Sequence, residues 1–138
     1  MVIETRASRK PAYTETLPRT PGSARVARRL TSSALRFWGL DELEDAAQVV
    51  IAELMSNAIT HAKRQAVRVT VTRLDRRRVR VAVVDLSREQ PRRRHVGADA
   101  ESGRGLTIVD TLSGGRWGVD PLPWGKRVWA ELSEVPGE

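Results

Sequence analysis

The chain has 138 residues, 40% of them apolar and 30% charged, and a net charge of +7, a composition that suits one globular domain and not a disordered or fibrous chain. It has no cysteine and two histidines, which excludes a disulfide scaffold, a thiolate metal site and a cysteine nucleophile, and leaves too few ligands for a histidine zinc site. No segment approaches the roughly 18 consecutive apolar residues of a membrane span, and the opening MVIETRASRK lacks the apolar run of a signal peptide, so a cytoplasmic protein is expected.

Residues 1–10 read as a flexible N-terminal tail, and residues 11–135 as one domain. The stretch PAYTETL at 11–17 alternates weakly and predicts a short edge strand bounded by Pro11 and Pro18. Pro21-Gly22-Ser23 opens a helix over 21–38, in which Val26, Leu30, Ala34 and Phe37/Trp38 recur at helical spacing before Gly39 stops it. Asp41 with Glu44 three residues on predicts a capping box for a second helix over about 42–62. Its apolar stripe is Leu43, Ala47, Val50, Ile51, Leu54 and Ala58. The period then changes to two. Val67, Val69 and Val71 alternate with Arg68, Thr70 and Thr72, and Val79, Val81 and Val83 with Arg80 and Ala82, on either side of the turn Asp75-Arg76-Arg77, which predicts an antiparallel hairpin with one wet face. Residues 86–104 show no period and read as a functional lid. A short helix at 105–113 stopped by Gly114-Gly115, and two closing strands at 116–119 and 126–132, complete the chain.

Charge is uneven along this path. Residues 64–95 carry eleven Lys/Arg against three Asp/Glu, and arginine outnumbers lysine 21 to 3 overall. Such a stretch is either a nucleic-acid footprint or a set of solvated strand faces and a loop over an anionic small ligand. No aromatic residue lies within it, so no stacking platform stands beside the arginines in sequence, and direct nucleic-acid binding is not expected.

Three motifs carry chemistry. In Glu53-Leu54-Met55-Ser56-Asn57-Ala58-Ile59-Thr60-His61, at about 100° per residue, Asn57 falls about 40° and His61 about 80° from Glu53, while the apolar stripe centres near 110°. Glu53 and Asn57 therefore flank the buried face, where a carboxylate can act as general base and an amide oxygen can hold Mg²⁺; a polar helix flank bonded to its neighbours has the same pattern. Asp85 ends a valine-rich strand before Leu86-Ser87. An ionised carboxylate there only accepts hydrogen bonds, which suits an exocyclic amine, although an Asp that merely starts a turn looks alike. Gly103-Arg104-Gly105-Leu106 opens a helix, offering backbone N–H groups and a positive dipole end to phosphates; an ordinary loop-to-helix junction reads the same way.

In order, these pieces resemble the histidine-kinase/gyrase-type ATPase superfamily, the Bergerat fold. The likeness covers about residues 23–132. Glu53-Leu54-x-x-Asn57-Ala58-x-x-His61-Ala62, Gly103-x-Gly105-Leu106-x-Ile108-Val109-Asp110, Trp117-Gly118 and Gly125-Lys126-x-Val128-Trp129 most resemble the single-domain anti-sigma-factor serine/threonine kinases. The resemblance implies a two-layer α/β sandwich, a mixed, mostly antiparallel sheet with helices packed on one face. It implies ATP and Mg²⁺ as cofactors, with Glu53 as general base and Asn57 as the Mg²⁺ ligand. Asp85 and Ser87 would lie at the adenine, Gly103, Arg104, Gly105 and Leu106 around the phosphates, and His61 and Lys126 beside the nucleotide. It also implies phosphotransfer to an anti-anti-sigma-type partner, sequestration of a sigma factor, and a homodimer. Two departures stand out. Ser87 and Glu89 occupy positions where the family often has glycines, and Lys126-Arg127 follow Gly125 where the family usually has a threonine. An ATP-sensing protein of the same fold without kinase activity is the alternative.

Overall fold

The computed structural model describes residues 2–4, 10–61, 66–86, 106–123 and 125–134. Six strands form one sheet: β1 (Val2–Glu4), β2 (Pro11–Pro18), β3 (Ala66–Asp75), β4 (Arg78–Asp85), β5 (Trp117–Leu122) and β6 (Gly125–Ser133), in the spatial order β1-β2-β3-β4-β6-β5. Helices α1 (Ser23–Phe37) and α2 (Glu44–His61) form the second layer, with α1 over β2 and β3 and α2 over β4 and β6. A third helix, α3, runs over 106–113. The α/β sandwich is as expected. The sheet, expected to be mostly antiparallel, is antiparallel at each of its five pairings among the described residues. The tail expected over residues 1–10 contains β1, which pairs with β2, so β2 is not the sheet edge.

The central hairpin follows from its alternation. Val69 faces Val83 and Val71 faces Val81 across β3 and β4, and these valines are buried against the helices. Asp75 makes the turn, accepting from the Arg77 backbone N–H at 2.9 Å and from Arg78 Nε at 2.7 Å, so a carboxylate does here what Asn-Gly does in commoner hairpins. The same parity carries one step past Val83 to Asp85, opposite Val67. Asp85 therefore stands on the buried face of the sheet, toward α2.

Helix α2 buries the predicted stripe with Met55 added. Its predicted capping box does not form. Asp41–Leu43 is a 3₁₀ turn without a side-chain cap, and Glu44 instead accepts from Arg36 Nε and Nη2 at 3.2 and 3.0 Å. That Arg36 contact, helped by Ser32, holds the Glu44 carboxyl below its ordinary value. Of the stripe predicted for α1, Ala34 is buried and Val26, Leu30 and Trp38 pack against the core, but the buried face extends beyond it and leaves out Phe37. Ala27, Thr31, Ser32, Ala34 and Leu35 are buried, whereas Phe37 is 74% exposed. The polar members are satisfied locally: Thr31 Oγ1 donates to the Ala27 carbonyl at 2.8 Å, and Gln48 on α2 donates to Ser32 Oγ. Both α1 and α3 end in a Schellman motif. The Gly39 and Leu40 N–H groups bond to the Arg36 and Leu35 carbonyls, and the Gly114 and Gly115 N–H groups to those of Thr111 and Asp110. Gly39 and Gly114 hold the required positive φ, 71° and 63°.

Candidate functional site

Where α2 crosses the ends of β4 and β6, a small open pocket is lined by Leu54, Asn57 and Ala58 of α2, Val83 and Asp85 of β4, and Lys126 and Val128 of β6. Each strand supplies alternate residues. Val83 faces Val128 across the ladder, so Asp85 and Lys126 share that face one step further out. Four apolar residues, Leu54, Ala58, Val83 and Val128, thus make up most of its lining, beside Asn57, Asp85 and Lys126.

Two oxygens in it matter most. Asn57 Oδ1 is buried and receives no hydrogen bond among the described residues. Leaving such an acceptor unsatisfied costs about 1–3 kcal/mol, so a partner from beyond the described residues is called for. Asp85 is 7% exposed, and its Oδ1 is likewise buried without a hydrogen bond, although the residue has other contacts. Both atoms stand close to where periodicity predicts them, Asn57 on the flank of the α2 stripe and Asp85 at the strand end.

Glu53 lies on α2 one turn before Asn57, half-buried and outside the pocket lining. His61 is the last residue of α2, and the expectation for its side chain falls outside what is described. Leu106, expected at the phosphates, begins the described part of α3 and packs against the hydrophobic core, not in the pocket. Ser87, Gly103, Arg104 and Gly105, together with most of the expected lid, lie outside the described residues. Lys126 is in the pocket, whereas its neighbour Arg127 is on the opposite face, bonded to Asp120 of β5 through Nε at 3.0 Å.

Gly125 is a residue whose role the sequence reading missed. A Cβ there would lie 2.5 Å from the Asp85 carbonyl oxygen. Its lack of a side chain lets β6 start directly against the end of β4, which fixes Asp85 and Lys126 side by side. Gly125→Ala must push the two strands apart, and a destabilisation of about 1–3 kcal/mol is expected, the usual cost of overpacking. Urea unfolding of the two proteins measures it, and an unchanged midpoint would show that the contact is soft.

The fold also brings an aromatic ring to the basic stretch. Trp129 lies across the ladder from the 64–95 segment, and the Arg80 guanidinium stacks over its ring at 4.6 Å. Sequence distance concealed this contact. Arg80 is at the same time bound to Glu131, and Arg78 to Asp75, so part of the basic excess is used within the protein.

Among the described residues no cluster of three or more His, Asp or Glu side chains is present that could cage a metal, and no helix is long and apolar enough to cross a membrane. A family model described as a histidine kinase-like ATPase domain matches residues 17–114, more than half of the chain. The matched span includes Glu53, Asn57 and Asp85 and ends before Lys126. Comparison with the curated proteins gave no match.

Proposed function

The chain belongs to the histidine kinase-like ATPase family, which points to ATP binding, and from that premise we propose an Mg²⁺-ATP-dependent protein serine/threonine kinase of the anti-sigma type. It phosphorylates an anti-anti-sigma-type partner, sequesters a sigma factor and acts as a homodimer. The observation that carries the nucleotide part is the pocket that joins Asn57 and Asp85, with the Asn57 Oδ1 acceptor buried and unsatisfied.

The residues fit a magnesium ion. Mg²⁺ takes hard oxygen ligands and keeps several waters and substrate phosphates in its shell, so it needs few ligands from the protein. The buried Asn57 Oδ1, an oxygen acceptor without a hydrogen bond among the described residues, would be one of them. The ion when bound offsets charge on the phosphates. Asp85 accepts from a base amine, and Leu54, Ala58, Val83 and Val128 exclude water from the base plane. Glu53 accepts the proton of the attacking hydroxyl as its oxygen bonds to the γ-phosphorus and the bond to the bridging oxygen of ADP breaks. Positioning and charge supply most of the acceleration in such transfers.

One observation favours a second reading, nucleotide sensing without transfer: Glu53 does not line the pocket. The first test addresses what both readings share. Thermal unfolding with Mg²⁺-ATP at about 100 times its Kd should reveal a stabilisation of about 2.7 kcal/mol, on the order of 5–15 °C for a domain of this size. An unchanged midpoint at millimolar Mg²⁺-ATP would overturn the nucleotide reading.

A further inference from the structure

We propose that Arg19, in the link between β2 and α1, is a positioning residue for the metal end of the site: it pins the last turn of α2 and so keeps Asn57 aimed inward. The inference rests on the nucleotide reading above and on Asn57 as its magnesium ligand. Helix α2 ends at His61, and Asn57 opens its last turn. The Ile59 carbonyl, two residues on, is among the last four of the helix, which no N–H of the helix itself reaches. Arg19 Nη1 donates to it at 2.8 Å from a position 40 residues earlier in the chain. The guanidinium thus caps the turn and places its positive charge at the negative end of the helix dipole. Its own backbone is anchored on both sides. Pro18 ends β2 opposite Ala66, the first residue of β3. The Pro18 carbonyl accepts from the Thr20 N–H at 2.9 Å and from Ser23 Oγ at 2.5 Å. Arg19 is therefore clasped between the sheet and the start of α1, and its side chain extends that anchorage to the end of α2.

Asn57 is the reason the turn needs a fastening. Its Oδ1 is buried and receives no hydrogen bond among the described residues. An acceptor of that kind gains by turning out to water, and a helix end is where local opening costs least. Before a ligand arrives, local energetics thus favour an outward Asn57, and the Arg19 cap opposes them. The base end of the pocket is held differently. Val83, Asp85 and Val128 are fixed by the strand ladders, so they do not depend on Arg19.

Two measurements on the full chain test this, with Arg19→Met and Arg19→Lys. Arg19 has further contacts, so the methionine keeps the apolar stem and removes the donors, while the lysine ammonium can still donate to the same carbonyl. In the free protein, hydrogen exchange of amides 58–61 should speed up by about tenfold or more in Arg19→Met, the equilibrium worth of one charge-assisted hydrogen bond. The buried middle of α2, residues 50–55, should keep its protection and show that the variant is folded. Titration calorimetry with ATP in Mg²⁺ and with ATP in EDTA then separates the metal end from the base end. In Arg19→Met the gain that Mg²⁺ gives to ATP affinity should shrink by about three- to tenfold, as the inward Asn57 becomes the minor state, and the affinity in EDTA should stay within about twofold. Arg19→Lys should recover most of both losses. A purely structural Arg19 would lower the unfolding midpoint and leave the Mg²⁺ gain alone, and that result overturns the proposal. Unchanged exchange at 58–61, or equal losses in Mg²⁺ and in EDTA, overturns it too. A wild type that binds ATP no better with Mg²⁺ than without also overturns it, by removing the metal role of Asn57, and leaves the ATP reading intact. If the wild type binds ATP under neither condition, the nucleotide reading falls, and this inference with it.

Discussion

Glu53→Ala should leave Mg²⁺-ATP affinity nearly unchanged and lower phosphotransfer to the partner by about 10²–10⁴-fold, the usual contribution of a general base. The two halves of that expectation come from separate observations. Glu53 is half-buried on α2 and outside the lining of the pocket, so its removal takes no contact from the base. It is also one helical turn from Asn57, whose unsatisfied oxygen marks the proposed metal end, and residues four apart on a helix lie on the same side. Alanine suits a helix interior better than glutamate does, so the variant should fold. Label transfer from γ-labelled ATP, read beside calorimetric Kd values, checks both halves. Undiminished transfer would remove Glu53 from its role and favour a base from the partner. Loss of binding together with transfer would mean that the carboxylate holds the nucleotide instead. A wild type that binds ATP but transfers nothing to any partner would support the sensing reading.

How much of this was legible beforehand depended on whether the signal was local. Periodicity located the α2 stripe because Ala47, Val50, Ile51, Leu54 and Ala58 are all buried in the core, and a helix displays its buried face as a spacing. The same holds for the valine alternation, whose parity turns Asp85 inward. For helix α1 hydrophobic spacing found Ala34 and the partly buried Val26, Leu30 and Trp38 but gave no weight to Thr31 and Ser32, polar residues that the fold buries once their hydroxyls are bonded to Ala27 and Gln48. The capping box failed because Arg36, a helix away, competes for Glu44. Gly125 against Asp85, and Trp129 under Arg80, join residues some forty or more positions apart. Those contacts are set by strand order, with β6 inserted between β4 and β5, and strand order has no local signature.

Asp85→Asn should weaken nucleotide binding by about 5–150-fold, a loss of about 1–3 kcal/mol, with a smaller change in the stability of the free protein. The substitution preserves size, so no cavity forms. It replaces an all-acceptor group with one oxygen and one NH₂. If the oxygen meets the base amine, the NH₂ is left to face a site where the native oxygen accepted; if the amide flips, two donors oppose each other. Relief by backbone movement has little room, because Asp85 is 7% exposed and its carbonyl packs closely against Gly125 at the start of β6. The neutral amide also removes the negative charge that shares the pocket with Lys126. Titration calorimetry with Mg²⁺-ATP on the wild type and the variant reads the loss. An Asp85→Asn protein that binds ATP as tightly as the wild type would show that Asp85 contributes to folding and not to the base, and the pocket would then lose its assigned ligand.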